Sequence, residues 1–183
     1  MNGWKKAGRG ARVRLVATLE EQESSVLRGL VTEVTQMLDG RSAETPQDEL
    51  AELTGMRTGP TTRPEDRVLA RLLPDFTSED RDLAAGLRSL HEPALIEAKR
   101  SAAATVLAAL PAGGGRVELS PDEADVWLTA LNDVRLALGT ALDVSEDTPE
   151  EFPADDPRSP HLGVYHWLTF VQDSLVQVRM QVG

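Results

Sequence analysis

Cysteine is absent from all 183 residues. That excludes disulfides, thiolate zinc and iron–sulfur sites, cysteine nucleophiles and any thiol switch. Aromatic residues are scarce, three Trp, one Tyr and three Phe, and three of them (Tyr165, Trp167, Phe170) lie together near the C-terminus. No apolar run approaches the roughly 18–20 residues that cross a bilayer. The basic start is not followed by the unbroken apolar stretch of a secretory signal. The expectation is therefore a cytoplasmic protein with no signal peptide and no membrane contact. Positive charge is also in deficit. A net charge of −11 disfavours broad contact with nucleic acid or an anionic membrane. The deficit is uneven, because residues 1–16 hold Lys5, Lys6, Arg9, Arg12 and Arg14 and no acid.

What is present is mostly helical patterning. Leu119–Gly139 spells out a helix from start to stop. Ser120 is a good N-cap, Pro121 occupies the first helical position, and Glu123 completes an S-x-x-E capping box. Ala124, Trp127, Leu131, Val134 and Leu138 recur at spacings of three and four, forming one apolar stripe. Gly139 is expected to end the helix in a left-handed conformation. Arg135 falls inside the stripe, between Leu128, Leu131 and Leu138, and there requires a carboxylate or carbonyl partner, since a lone buried charge is too costly.

Around this helix the chain reads in order as follows. Residues 1–11 are polar, basic and glycine-rich, and are expected to be a flexible basic tail. Arg12–Leu19 alternates as a half-buried strand. Thr18 and Glu21 open a helix that carries Val26, Leu27, Leu30, Val31, Val34, Met37 and Leu38, and Asp39-Gly40 stops it. Residues 40–63, broken by Pro46, Gly55, Gly59 and Pro60, read as a mobile loop with at most a short helix over Gln47–Leu53. Pro64 restarts a helix that ends at Pro74. Ser78 caps the next, with Leu83, Ala84, Leu87 and Leu90 inward, and His91-Glu92-Pro93 marks a junction before an Ala-rich helix to Leu110. Arg116–Leu119 is a second strand, expected to pair with the first. Ala141–Ser159, acidic and proline-interrupted, is expected to be an extended, mobile loop. A last helix starts at Ser159-Pro160 and presents Val164, Leu168, Val171, Leu175 and Val178. The fold expected is mainly α: a single-domain helical bundle, residues 12–183, of about six to seven helices with a small two-stranded β ribbon.

No chemistry is written in these residues. His161 and His166 are five apart, off the i, i+4 face of a metal pair, and His91 is isolated. Gly113-Gly114-Gly115 precedes a strand and lacks a following Walker lysine, so it reads as a turn. No G-x-S-x-G elbow occurs. The expectation is no catalytic residue, no cofactor and no metal. Two polar and aromatic groups remain. Asn132, Asp133 and Arg135 read either as a network tying their helix to an acid elsewhere, or as a contact or small-ligand site. Trp127, Tyr165 and Trp167 read either as core aromatics or as interface anchors.

The motifs W-L-T-A-L-N-D-V-R-L-A-L-G (Trp127–Gly139) and Y-H-W-L-T-F-V-Q-D-S-L-V (Tyr165–Val176, which includes Gln172) resemble the actinobacterial AosR-like family. The resemblance extends over most of the chain, through the strand and acid-started helix of Val13–Leu38 and through Arg71–Pro74. It implies a non-enzymatic cytoplasmic regulator of the oxidative-stress response that contacts a stress sigma factor and controls cysteine-biosynthesis genes. The redox sensing attributed to the family depends on cysteines, and this chain has none. The alternatives are a winged-helix-like DNA-binding regulator, with Val13–Leu15 and Val117–Leu119 as the wing, and an accessory factor or enzyme of sulfur metabolism. Partner identity and oligomeric state are not written in the sequence.

Overall fold

The computed structural model describes residues 2–44, 58–149, 151–153 and 155–182. The expected short helix over 47–53 lies outside them. Five α-helices and one three-stranded antiparallel sheet make up the described residues, in the order β1 (Asn2–Ala7), β2 (Arg14–Leu19), α1 (Glu21–Ala43), α2 (Arg67–Leu72), α3 (Arg81–Ala109), β3 (Gly115–Leu119), α4 (Pro121–Ala141) and α5 (Ser159–Met180). A single 3-10 turn, Gly10–Arg12, closes the β1–β2 hairpin. The helix number is thus lower than expected and the sheet larger by a strand.

The extra strand is the expected tail. Residues 2–7 pair antiparallel with β2, Lys6 opposite Leu15 and Ala7 opposite Arg14. Trp4 explains why: its side chain is only 4% exposed and meets Trp127 edge-on at 5.6 Å between ring centroids. A buried Trp of this size repays the ordering of a short basic strand. On the other side β2 pairs with β3 as expected, Leu15 opposite Leu119 and Ala17 opposite Val117. Period-two alternation sends Trp4, Leu15, Ala17, Leu19, Val117 and Leu119 into the core, leaving Arg14, Thr18, Arg116 and Glu118 outside.

Helix α4 is central, touching α1, α2, α3, α5, β2 and β3. Its start is as written in the sequence: Ser120 Oγ accepts from Glu123 N–H, and Glu123 accepts from Ser120 N–H at 2.7 Å. That charge-assisted bond holds the Glu123 carboxyl below the ordinary range. Its end differs. Gly139 stays helical, and Leu142 is the C-cap. Asp143 takes the left-handed position at φ 60°. Val144 N–H then reaches the Gly139 carbonyl at 2.8 Å and Asp143 N–H the Thr140 carbonyl at 3.2 Å, a Schellman ending without glycine. Gly139 is instead a point of close approach, since a Cβ there would lie 3.0 Å from the Tyr165 ring. With Arg179 bound to Asp125 at 2.8 Å at the opposite ends, this contact shows α4 and α5 antiparallel, as their matching stripes predict.

Two other expected breaks are helical. Helix α1 begins one residue after Glu20, not at Thr18, with Glu20 N–H held by Glu23 at 2.8 Å. It runs through Asp39-Gly40 to Ala43, because Leu38 and Arg41 are both buried and packing outweighs the propensity of one glycine. Helix α3 is continuous across Pro93. A proline inside a helix frees the carbonyl four residues earlier, here that of Ser89. Gly59 N–H takes that carbonyl at 2.7 Å, and Ser89 Oγ donates back to the Gly59 carbonyl at 3.0 Å. A side chain at Gly59 would meet the Pro93 ring at 3.0 Å. The caps of α2 and α3 are Asp66 and Asp80, each accepting backbone N–H groups of its first turn, in place of Pro64 and Ser78. In α3 the leucines expected inward, Leu83 and Leu90, are exposed.

The described part of 141–159 is tied to α2 by Asp143, which accepts from Arg67 at 2.7 Å, and its other hydrogen bonds run within itself or to the adjoining helix ends. Arg158 lies over the Phe152 ring at 4.3 Å and pairs with Asp156 at 2.8 Å. No helix among the described residues is long and apolar enough to cross a membrane.

Candidate functional site

The residues singled out in sequence fall into three groups. Trp127, on the interior face of α4, is fully buried in the core and meets Trp4 edge-on. Tyr165 and Trp167 are half-buried: Tyr165 covers Gly139, and Trp167 Nε1 donates to Glu23 at 3.2 Å, tying α5 to the start of α1. Gln172 is half-buried, with a buried side-chain oxygen that lacks a hydrogen-bond partner.

Asn132, Asp133 and Arg135 are not brought together as one network. The buried face of α4 is turned toward Ala130, Asp133 and Ala137, which leaves Asn132 and Arg135 half-buried at its margins. Arg135 therefore needs no buried acid, and no ion pair joins it to another described residue. The expectation that it lies inside the stripe is corrected accordingly. The buried polar residue is Asp133, whose carboxylate accepts from Lys99 Nζ of α3 at 2.5 Å. Burial pushes the Asp133 carboxyl above the ordinary value, and the Lys99 ammonium only partly offsets it.

The largest polar cluster was missed in sequence. Glu92, fully buried in α3, accepts from Arg41 Nε at 2.7 Å and from Arg88 Nη1. Arg88 continues to Asp75 at 2.6 Å and to the Leu73 carbonyl at 3.3 Å. Arg41 continues to Glu44 at 2.6 Å and to the Thr62 carbonyl at 2.5 Å. The cluster thereby joins the end of α1, the residues after α2, the middle of α3 and the segment 58–63. A signal did exist: Arg88 and Glu92 sit at i, i+4 and continue the register of Ile96, Ala103 and Val106, so an interior stripe turns polar.

The remaining candidate is a surface. Lys5, Lys6, Arg9, Arg12 and Arg14 are all exposed on the β1–β2 hairpin. None forms an ion pair with a described carboxylate. Lys6 donates to the Gln181 carbonyl at 3.0 Å and Arg14 to the Val13 carbonyl at 2.8 Å. The sheet orders the backbone beneath these cations, which form a shaped positive surface in place of a loose tail. An open groove of about 1050 Å³ runs along α5 beside Phe152, past Leu162, His166, Phe170 and Asp173. It includes none of Asn132, Asp133 or Arg135.

The whole-chain comparisons agree with one another. Residues 1–179 match the family described as Domain of unknown function (DUF2017). The chain is 40% identical over 190 residues to the oxidative stress regulator AosR of Mycobacterium tuberculosis, and equally to that of Mycobacterium bovis, covering 97% of this chain and 87% of the relative. It is 42% identical over 190 residues to a putative oxidative stress regulator AosR of Mycobacterium leprae, covering 97% and 88%. No solved structure matches it. The chain belongs to this family.

Proposed function

We propose that this chain, as a member of the AosR-like family, is a non-enzymatic cytoplasmic regulator in oxidative-stress control that works by protein–protein contact, with a stress sigma factor as its partner. The observation that carries the reading is the basic hairpin. Five exposed cations, none within ion-pair distance of a described carboxylate, stand on a protein of net charge −11, an arrangement suited to steering and orienting an acidic partner surface. The mycobacterial relatives are named oxidative stress regulators, and the sigma-factor partner follows from the family resemblance. A thiol–disulfide switch cannot operate in this chain, so partner binding here is independent of any cysteine.

The test is affinity capture from native lysate, with mass-spectrometric identification of what is retained. A stress sigma factor or RNA polymerase, retained at low salt and released as salt rises, is expected. Recovery of neither contradicts the reading.

Direct DNA contact is the second reading, favoured by the same hairpin, whose cations could neutralise phosphates. Against it, Arg179 at the end of the neighbouring α5 is already paired with Asp125. A mobility shift that persists at low ionic strength and weakens steeply with salt would favour DNA; its absence would dismiss it.

A further inference from the structure

The two edges of the sheet are treated differently. The β1 edge is closed by α5: Trp4 N–H donates to Ser174 Oγ at 2.6 Å, and Lys6 reaches the Gln181 carbonyl. The approach is so close that a Cβ on Gly3 would lie 2.5 Å from Ser174 Oγ. On the β3 edge, no strand among the described residues pairs with Gly115–Leu119 on the side away from β2. An open edge presents a row of unpaired N–H and C=O groups and is a template for another strand.

The side chains on this edge select what that strand could be. Arg116 and Glu118 project from the outer face, 59% and 50% exposed, while Val117 and Leu119 are buried beneath. We propose that β3 pairs antiparallel with β3 of a second copy of this chain about a two-fold axis at Val117, making one continuous six-stranded sheet. A one-residue slip would turn one copy's core face to solvent. A shift that keeps both core faces together but centres on Arg116 or Glu118 sets like charges opposite each other. Centring on Val117 sets Arg116 opposite the second copy's Glu118, and Glu118 opposite its Arg116. It also sets Leu119 opposite glycine, Gly115 of the second copy, where there is room. The strand is thus self-complementary in one register, as a two-fold interface requires. In the single chain Arg116 and Glu118 satisfy each other along the strand at 2.5 Å; pairing exchanges that contact for two across the axis.

Sedimentation velocity from micromolar to millimolar concentration tests this with charge reversals at exposed positions, each checked for folding by circular dichroism. The unaltered chain is expected to dimerise as concentration rises. Arg116→Glu alone and Glu118→Arg alone each set like charges across the axis and should raise the dissociation constant roughly tenfold or more. The double reversal should restore it, and mixing the two single variants should give a heterodimer that neither forms alone. A monomer throughout, a dimer indifferent to the single reversals, or no recovery in the double reversal and the mixture would each overturn the proposal.

Discussion

Strand β1 and residues 58–63 are both laid on the helical body from outside, by opposite chemistry. At β1 the contact is mainly apolar: Trp4 against Trp127, with hydrogen bonds from Trp4 N–H to Ser174 and from Lys6 to the Gln181 carbonyl. At 58–63 it is polar: the Thr62 carbonyl on Arg41, Gly59 on the carbonyl that Pro93 leaves free, and behind them Glu92 between two guanidiniums. The apolar joint gains stability from burial and tolerates small displacements. The ionic joint gains little net stability, because burying charges costs about what pairing returns, but it is intolerant of a missing member. The first keeps the hairpin and its cations in place. The second fixes the relative positions of α1, α3 and the segment after α2.

Removing Glu92 should therefore have the largest effect. Glu92→Ala removes the buried acid shared by Arg41 and Arg88, leaving each with only its outer acid, Glu44 or Asp75, and urea denaturation should register a loss of about 3–5 kcal/mol. A loss below about 1 kcal/mol would mean that Glu44 and Asp75 alone suffice to compensate the two guanidiniums. Trp127→Ala probes the apolar joint, with a loss of the same order, about 3–5 kcal/mol, from the cavity beside Trp4.

Ser174→Ala should cost less, about 1 kcal/mol, for one lost hydrogen bond to Trp4 N–H. Hydrogen exchange should localise that loss to β1 and leave α3 protected. Exchange that quickens equally in both would show that the two joints open as one unit.

The smallest effect is a pH dependence at Asp133. Its folded pKa is raised by burial, so the folded state holds the proton more tightly than the unfolded chain does. Its stabilising contribution is complete below the unfolded carboxylate value of about 4. It declines as pH rises through the raised folded value. The stability of the unaltered protein relative to Asp133→Asn should fall across that window. A constant difference, or one that grows, would show that Lys99 outweighs the burial.

Much of the fold was legible where burial is apolar and regular. Leu15, Ala17 and Leu19 announce β2 by alternation, and the stripes of α4 and α5 announce their antiparallel pairing. Ser120 and Glu123 place the start of α4 to the residue. The failures share a cause, local signals overruled by partners distant in sequence. Gly40 and Gly139 read as stops, yet Arg41 and Tyr165 pack where a helix must continue. Pro93 reads as a break, yet Gly59 takes up the carbonyl it frees. Trp4 was concealed by the charges around it. Of the candidate site, the cations of the hairpin were legible and their ordered presentation was not, because that depends on Trp4 meeting Trp127. The Arg41–Glu92–Arg88 cluster needed contacts between helices that no single stretch of sequence displays.

Under the proposed function, the ordered basic hairpin is the partner-binding surface. The most direct measurement is the equilibrium affinity of the purified chain for a stress sigma factor, beside that of a variant carrying Arg9→Glu, Arg12→Glu and Arg14→Glu. All three positions are exposed and outside the core, so thermal unfolding should match between the two proteins. Binding should weaken with salt and fall at least about tenfold in the variant. Equal affinity in the two proteins, with folding preserved, would contradict it.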